Sequence, residues 1–170
     1  ETPLGESLAQ RQLTDSDNMT DTLAALRGLV FAGATSAGEA LSAFETTWRE
    51  DALVMDKWFA IQAATPGAAT VDRVEALLRH PGFTLRNPNK VRAVLGVFAM
   101  SNPTAFHAAD GSGYRLLADQ VIELDALNPQ VAARIVGAFN PWTRHDAARR
   151  ALMKAQLQRI ASAPGLSGDV

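Results

Sequence analysis

Asn87-Pro88-Asn89-Lys90-Val91-Arg92-Ala93-Val94-Leu95-Gly96-Val97-Phe98 opens with two residues suited to the start of a helix. Asn is a leading N-cap, because its side-chain oxygen accepts a hydrogen bond from a free amide of the first turn. Pro fits the first helical position, where its missing N–H had no intrahelical partner anyway. Downstream, Val91, Val94, Leu95 and Phe98 fall at i, i+3, i+4 and i+7, one stripe of a helix. The pair recurs at Asn102-Pro103, Asn128-Pro129 and Asn140-Pro141, and each is read as a helix start. Val131, Ile135 and Phe139 keep the helical period after Pro129, as do Met153, Leu157 and Ile160 after Pro141.

The same period runs through the rest of the chain. Met19, Leu23, Leu26 and Val30 share one face of a helix that follows the polar run Asp15-Ser16-Asp17-Asn18 and stops at Gly33. Ser36-Ala37-Gly38-Glu39 spells a capping box ahead of the stripe Ala37, Leu41, Phe44, Trp48. Val54, Trp58 and Ile61, flanked by Met55 and Phe59, predict a helix buried on two sides and closed by Pro66-Gly67. Thr70 is read as the cap of a short helix through Val71, Val74 and Leu78, ending at His80-Pro81-Gly82. Tyr114, Leu117, Val121 and Leu124 mark one more, entered through Asp110-Gly111-Ser112-Gly113. Period-two alternation is absent, so no strand is predicted. The expected fold is all-α, with about eight helices stacked as antiparallel pairs in a superhelical solenoid of the HEAT or armadillo kind.

The 170 residues suit a single domain, 1–170, and 47% hydrophobic against 20% charged residues suits a packed core. Sixteen basic and eighteen acidic residues give a formal charge of -2, which supplies no general attraction to nucleic acid or to an anionic membrane. No run of apolar residues approaches the roughly 18 that a spanning helix needs. Without cysteine, disulfides, thiolate metal sites and Cys nucleophiles are excluded, and a reducing, cytoplasmic location is the expectation. Glu1-Thr2-Pro3-Leu4 has neither the initiator Met nor the basic and apolar regions of a signal peptide, and the other end runs Gly165-Leu166-Ser167-Gly168-Asp169-Val170. A fragment of a larger protein is therefore expected.

Motifs that carry chemistry are few. His80, His107 and His145 stand at no metal-ligand spacing from one another, and no HExxH occurs, so no metal site and no catalytic residue is assigned. Each histidine reads as a capping or surface residue at a helix end. Asp110-Gly111-Ser112-Gly113 lacks the Walker spacing and lysine and reads as a turn with Ser112 as N-cap. Arg144, Arg149, Arg150, Lys154 and Arg159, set against Asp146, read as a solvated helix face before a polyanion site. Arg92 and Arg134 are different, since each flanks the apolar stripe of an Asn-Pro-capped helix. Spacing leaves two readings: an ion pair with a neighbouring helix, or a guanidinium fork presented to a carboxylate or carbonyl of a ligand.

Five blocks, in order, resemble the C-terminal part of the bacterial aminopeptidase N family. They are Asp17-Asn18-Met19-Thr20-Asp21, Leu53-Val54-Met55-Asp56-Lys57-Trp58-Phe59, Asn87 to Arg92, Ser101-Asn102-Pro103-Thr104-Ala105-Phe106-His107 through Tyr114, and Asn128-Pro129-Gln130-Val131-Ala132-Ala133-Arg134. The resemblance implies a zinc exopeptidase that removes alanine and other neutral or basic residues from peptide N-termini. It implies too that chemistry lies outside this chain, because neither the family's HExxH zinc helix nor its GAMEN motif is found here. No cofactor is therefore expected in the fragment, and zinc is expected in the parent enzyme, itself expected to be monomeric. By the same resemblance the domain walls an internal substrate cavity and controls peptide access. Its partners would be the catalytic domain of the same enzyme and peptide substrates. Arg92 and Arg134 fall on family arginines that face this cavity and engage substrate beyond the scissile bond. Two departures are Lys90, where relatives often carry Arg, and a family chain that continues past the Leu-Ser-Gly-Asp block. The rival reading is a free-standing α-solenoid scaffold that binds a protein partner on its concave face.

Overall fold

In the computed structural model, residues 3–170 are described, and Glu1 and Thr2, where the reading against a signal peptide begins, lie outside them. Helices follow one another along the whole of this span and no strand occurs among the described residues, as the periodicity predicts. The first half comprises α1 (Pro3–Asp15), α2 (Met19–Ala32), α3 (Ala37–Trp48), α4 (Ala52–Ala63) and α5 (Thr70–Leu78). Consecutive members of this series pack on each other, the arrangement a solenoid requires. At its centre α4 touches α2, α3 and α5 and buries Val54, Met55, Trp58, Phe59 and Ile61, hence its apolar surface on two sides.

The second half begins with one long helix in three pieces: α6 (Pro88–Val91), a π turn (Arg92–Gly96) and α7 (Val97–Ser101). In the π turn the Val97 amide reaches back to the Arg92 carbonyl, one residue further than in an α-helix. This wide turn brings Ala93, Val94 and Leu95 together into the core, against α4. Then come α8 (Pro103–Phe106), α9 (Ser112–Asp125), α10 (Pro129–Val136), a 3-10 segment (Gly137–Arg144) and α11 (Ala147–Ala161). Against α9 pack α5, α8, α10 and α11. Phe106 meets Phe98 and Tyr114 edge-on, with ring centroids 5.8 and 5.2 Å apart, and Phe139 at 5.9 Å. Each such ring, wholly buried, contributes roughly 1.5–3 kcal/mol of hydrophobic stabilisation.

Capping chemistry explains most helix starts. Asn18, Asn87, Asn102 and Asn128 accept from the amides of Asp21, Asn89, Ala105 and Val131. Gly33 ends α2 in the left-handed conformation, φ 63°, as a C-cap glycine does. Other expectations are corrected. Asn140-Pro141 starts no helix: it lies inside the 3-10 segment, and Asp146 caps α11 by accepting from the Arg149 amide. The capping box at Ser36 does not form, because the Ser36 amide and hydroxyl both donate to Glu6 of α1, at 3.2 and 2.8 Å. Thr70 is the first residue of α5 rather than its cap, and its hydroxyl donates to the Thr65 carbonyl at 2.5 Å. The helix α1 lies in a stretch for which no helix is predicted.

Candidate substrate-contact site

Arg92 stands where α6 passes into the π turn, its chain direction set by the Asn87-Pro88 start. Its side chain is exposed and lies back along its own helix: Nε donates to the Pro88 carbonyl at 3.2 Å and a terminal nitrogen to Asn89 Oδ1 at 2.5 Å. The guanidinium forms part of an open depression of about 440 Å³ lined by Leu53, Asp56, Lys57, Ala60, Asn89 and Arg92. Leu53 is 67% exposed there.

Beneath this surface lies Lys90, 5% exposed. Its ammonium stands 2.7 Å from Asp56 Oδ1, donates to the Ala52 carbonyl at 3.0 Å and lies 5.2 Å from the centroid of the Phe59 ring. At Asp56 the approach is off the hydrogen-bonding direction, so it is a charge contact rather than a directed bond. The Asp56 charge is therefore matched from below. Lys57 and Arg92 face no carboxylate partner among the described residues, which leaves both cations uncompensated at the surface.

Arg134 sits in α10 beside the buried Ala132 and Ile135, and its own side chain is exposed. Among the described residues it makes no hydrogen bond or ion pair, so the ion-pair reading finds no partner for either arginine. The helices carrying the two arginines meet at Gly96, where an added Cβ would lie 3.7 Å from Ile135 Cδ1 and 3.9 Å from the Arg92 Cβ.

The remaining candidates have local explanations. His80 accepts from the Gly82 amide at Nδ1, 3.0 Å, so Nε2 carries the proton toward Glu45 Oε1, also 3.0 Å away. It packs against the rings of Trp58 and Phe59, which makes it a structural residue of the α5 exit. In the Asp110 turn the carboxylate accepts from the Ser112 amide and hydroxyl at 3.0 and 2.8 Å, filling the place an anion would take; Gly111, φ 69°, precedes the helix and Ser112 is its first residue. The Ser112 amide above all holds the Asp110 carboxyl below its ordinary range. Arg149 and Arg159 pair with Asp146 and Asp119, while Arg150 and Lys154 are exposed, a solvated face. No three His, Cys, Asp or Glu side chains among the described residues converge as a metal ion requires. No helix among them is long and apolar enough to cross a membrane.

One cluster is invisible to spacing. His107 Nδ1 lies 2.8 Å from the Tyr114 hydroxyl, and the His107 and His145 rings stack with centroids 4.3 Å apart. Arg149 joins them, donating from Nε to the His107 carbonyl at 2.8 Å.

This helical architecture and its ordered motifs have known counterparts. Residues 1–170 match the family described as domain of unknown function (DUF3458_C) ARM repeats, and the chain belongs to that family. Over 170 residues it is 42% identical to aminopeptidase N of Escherichia coli (strain K12), and over 169 residues 44% identical to aminopeptidase N of Haemophilus influenzae. These alignments cover 100% and 99% of this chain but 20% and 19% of the relatives, so the chain spans about a fifth of their length. A crystal structure of Legionella pneumophila aminopeptidase A in complex with aspartic acid superposes with a TM-score of 0.92 at 38% identity, over 97% of this chain and 19% of that one. The resemblance to the C-terminal domain of bacterial aminopeptidase N, and the all-α repeat fold it implies, are thus borne out.

Proposed function

We propose that this chain is a helical domain of a larger zinc aminopeptidase, in which it walls the substrate cavity, controls peptide access and contacts peptides beyond the scissile bond through Arg92 and Arg134. The observation that carries this reading is the state of the two arginines: both are exposed, they rise from helices in contact at Gly96, and neither meets a carboxylate among the described residues. Arg134 offers its whole planar guanidinium to a peptide carbonyl or carboxylate, and Arg92, whose Nε and one terminal nitrogen bond Pro88 and Asn89, offers its remaining N–H donors. Contacts of that kind, remote from the reacting bond, help hold the scissile carbonyl in place. The chemical step belongs to the rest of the parent protein, whose catalytic domain is the natural partner of this one. The parent acts as a monomer in the cytoplasm, on peptides with neutral or basic N-terminal residues.

The test is kinetic and uses the full-length parent. Arg92→Ala and Arg134→Ala should lower kcat/KM for peptides of several residues by about tenfold, one lost charged hydrogen bond, while sparing Ala-p-nitroanilide. Equal loss on both substrates removes the remote-contact role.

A further inference from the structure

We propose that His107 and His145 form an acid-sensitive latch, which holds the first turn of α11 on the corner of α8 and α9 when both rings are neutral and releases it on acidification. The two rings come from different elements. His107 ends α8, and His145 precedes the cap residue of α11, so their stack, centroids 4.3 Å apart and planes at 36°, is itself a joint between these helices. Behind His107 stands Tyr114 of α9, wholly buried and bonded to Nδ1 at 2.8 Å. From α11, Arg149 donates Nε to the His107 carbonyl at 2.8 Å, which makes the joint two-sided.

The charges facing this joint are one-sided. From α9 comes Tyr114, which is neutral. From α11 come Arg149 and Asp146, together with the positive end of the helix itself. Asp146 cannot neutralise an imidazolium freely, since it already binds the Arg149 guanidinium at 2.7 Å and the Arg149 amide at 3.0 Å. A proton on His107 therefore enters beside the Arg149 guanidinium, and a charge on each ring would set two cations face to face. Burial chiefly, then His145 and Arg149, hold the His107 pKa below its usual 6.5. The sign follows: a base that is harder to protonate when folded adds stability that is full above the ordinary imidazole range and is lost as the pH falls below it. The loss is confined to the near end of α11, because Met153 and Ile160 anchor the rest of the helix at 0% and 3% exposure.

Hydrogen exchange on the 170-residue chain at about pH 7.5 and about pH 5, corrected for intrinsic rates, tests the latch. Amides of residues 149–152, the first of α11 to be hydrogen-bonded, should lose protection by about tenfold on acidification, while α9 keeps its protection. His145→Phe, which keeps a ring in the stack but removes one of the two charges, should weaken the response and leave only the part that comes from the burial of His107 and from Arg149. Unchanged protection in the parent chain, or the same acid loss in His145→Phe, overturns the proposal. Should that variant not fold, NMR titration of the two imidazoles in the unaltered chain decides: coupled rings titrate in two separated steps, whereas coincident, independent steps near the ordinary value overturn it.

Discussion

Lys90 and Asp56 approach to 2.7 Å with side chains 7% and 19% exposed, and they tie the start of α6 to the first turns of α4. The pair sits directly under the surface that Arg92 and Lys57 share, so removing one partner should disturb both stability and that surface. Lys90→Met leaves Asp56 without its cation and should cost about 2–4 kcal/mol, near the low end for broken buried pairs because Asp56 keeps some water. Removing both charges, as Lys90→Met with Asp56→Leu, should recover much of that loss. Urea denaturation of the single and double variants measures the coupling.

Gly113 is required by close approach. A Cβ there would lie 2.5 Å from the Phe106 carbonyl oxygen and 2.9 Å from that of Ala105, both backbone atoms that cannot rotate away. Gly113→Ala should therefore destabilise by about 1–3 kcal/mol by overpacking. Gly38, inside α3, has nothing within 4 Å of the same position, and Gly38→Ala should stabilise by about 0.5–1 kcal/mol. Thermal melts of the two variants should shift in opposite directions.

Asp125, 4% exposed, accepts from the Ser167 amide at 2.7 Å and from its hydroxyl at 2.5 Å, which fastens the segment after α11 onto α9. Asp125→Ala removes two hydrogen bonds to a charge and should cost about 1.5–3 kcal/mol. Limited proteolysis should then cut between residues 162 and 170 before the rest of the chain.

The Asp146 carboxyl is held down to about 2, first by the Arg149 amide and then by the Arg149 guanidinium. Its contribution to the start of α11 is complete above the ordinary 3.8 and is lost as the pH falls through about 2. Asp146→Asn keeps a capping oxygen without the charge and should flatten the corresponding acid limb of the melting-temperature profile.

What the sequence made legible depended on how local the physics was. Asn87, Asn102 and Asn128 cap because the bonded amide lies within three residues of each, and no distant partner competes. Ser36 carried the same signal and failed, because Glu6, thirty residues earlier, took its hydroxyl. Asn140-Pro141 failed because the turns leaving α10 tighten and run on through it before Asp146 starts the next helix. The position of Arg92 followed from its cap and stripe. The burial of Lys90 did not, since a lysine two residues past Asn-Pro looks solvated until Asp56 and Phe59 are brought beside it. The stack of His107 on His145 was hidden for the same reason: neither residue has a signal within its own helix.

The π turn at Arg92–Gly96 has a consequence for how this helix tolerates insertion and deletion. One residue more than an α-helical turn holds is stored there, so deleting one residue between 92 and 96 could restore an unbroken α-helix. Because the wide turn absorbs that residue, the two ends would keep their phase, whereas a deletion in a plain α-helical stretch turns one end by about 100°, the angular step of one residue. Arg92 and the buried Phe98 would each keep their side of the helix. The π turn is thus the one place in this helix where a length change of one is absorbed, and what the deletion should cost is the inward bulge of Ala93, Val94 and Leu95 against α4.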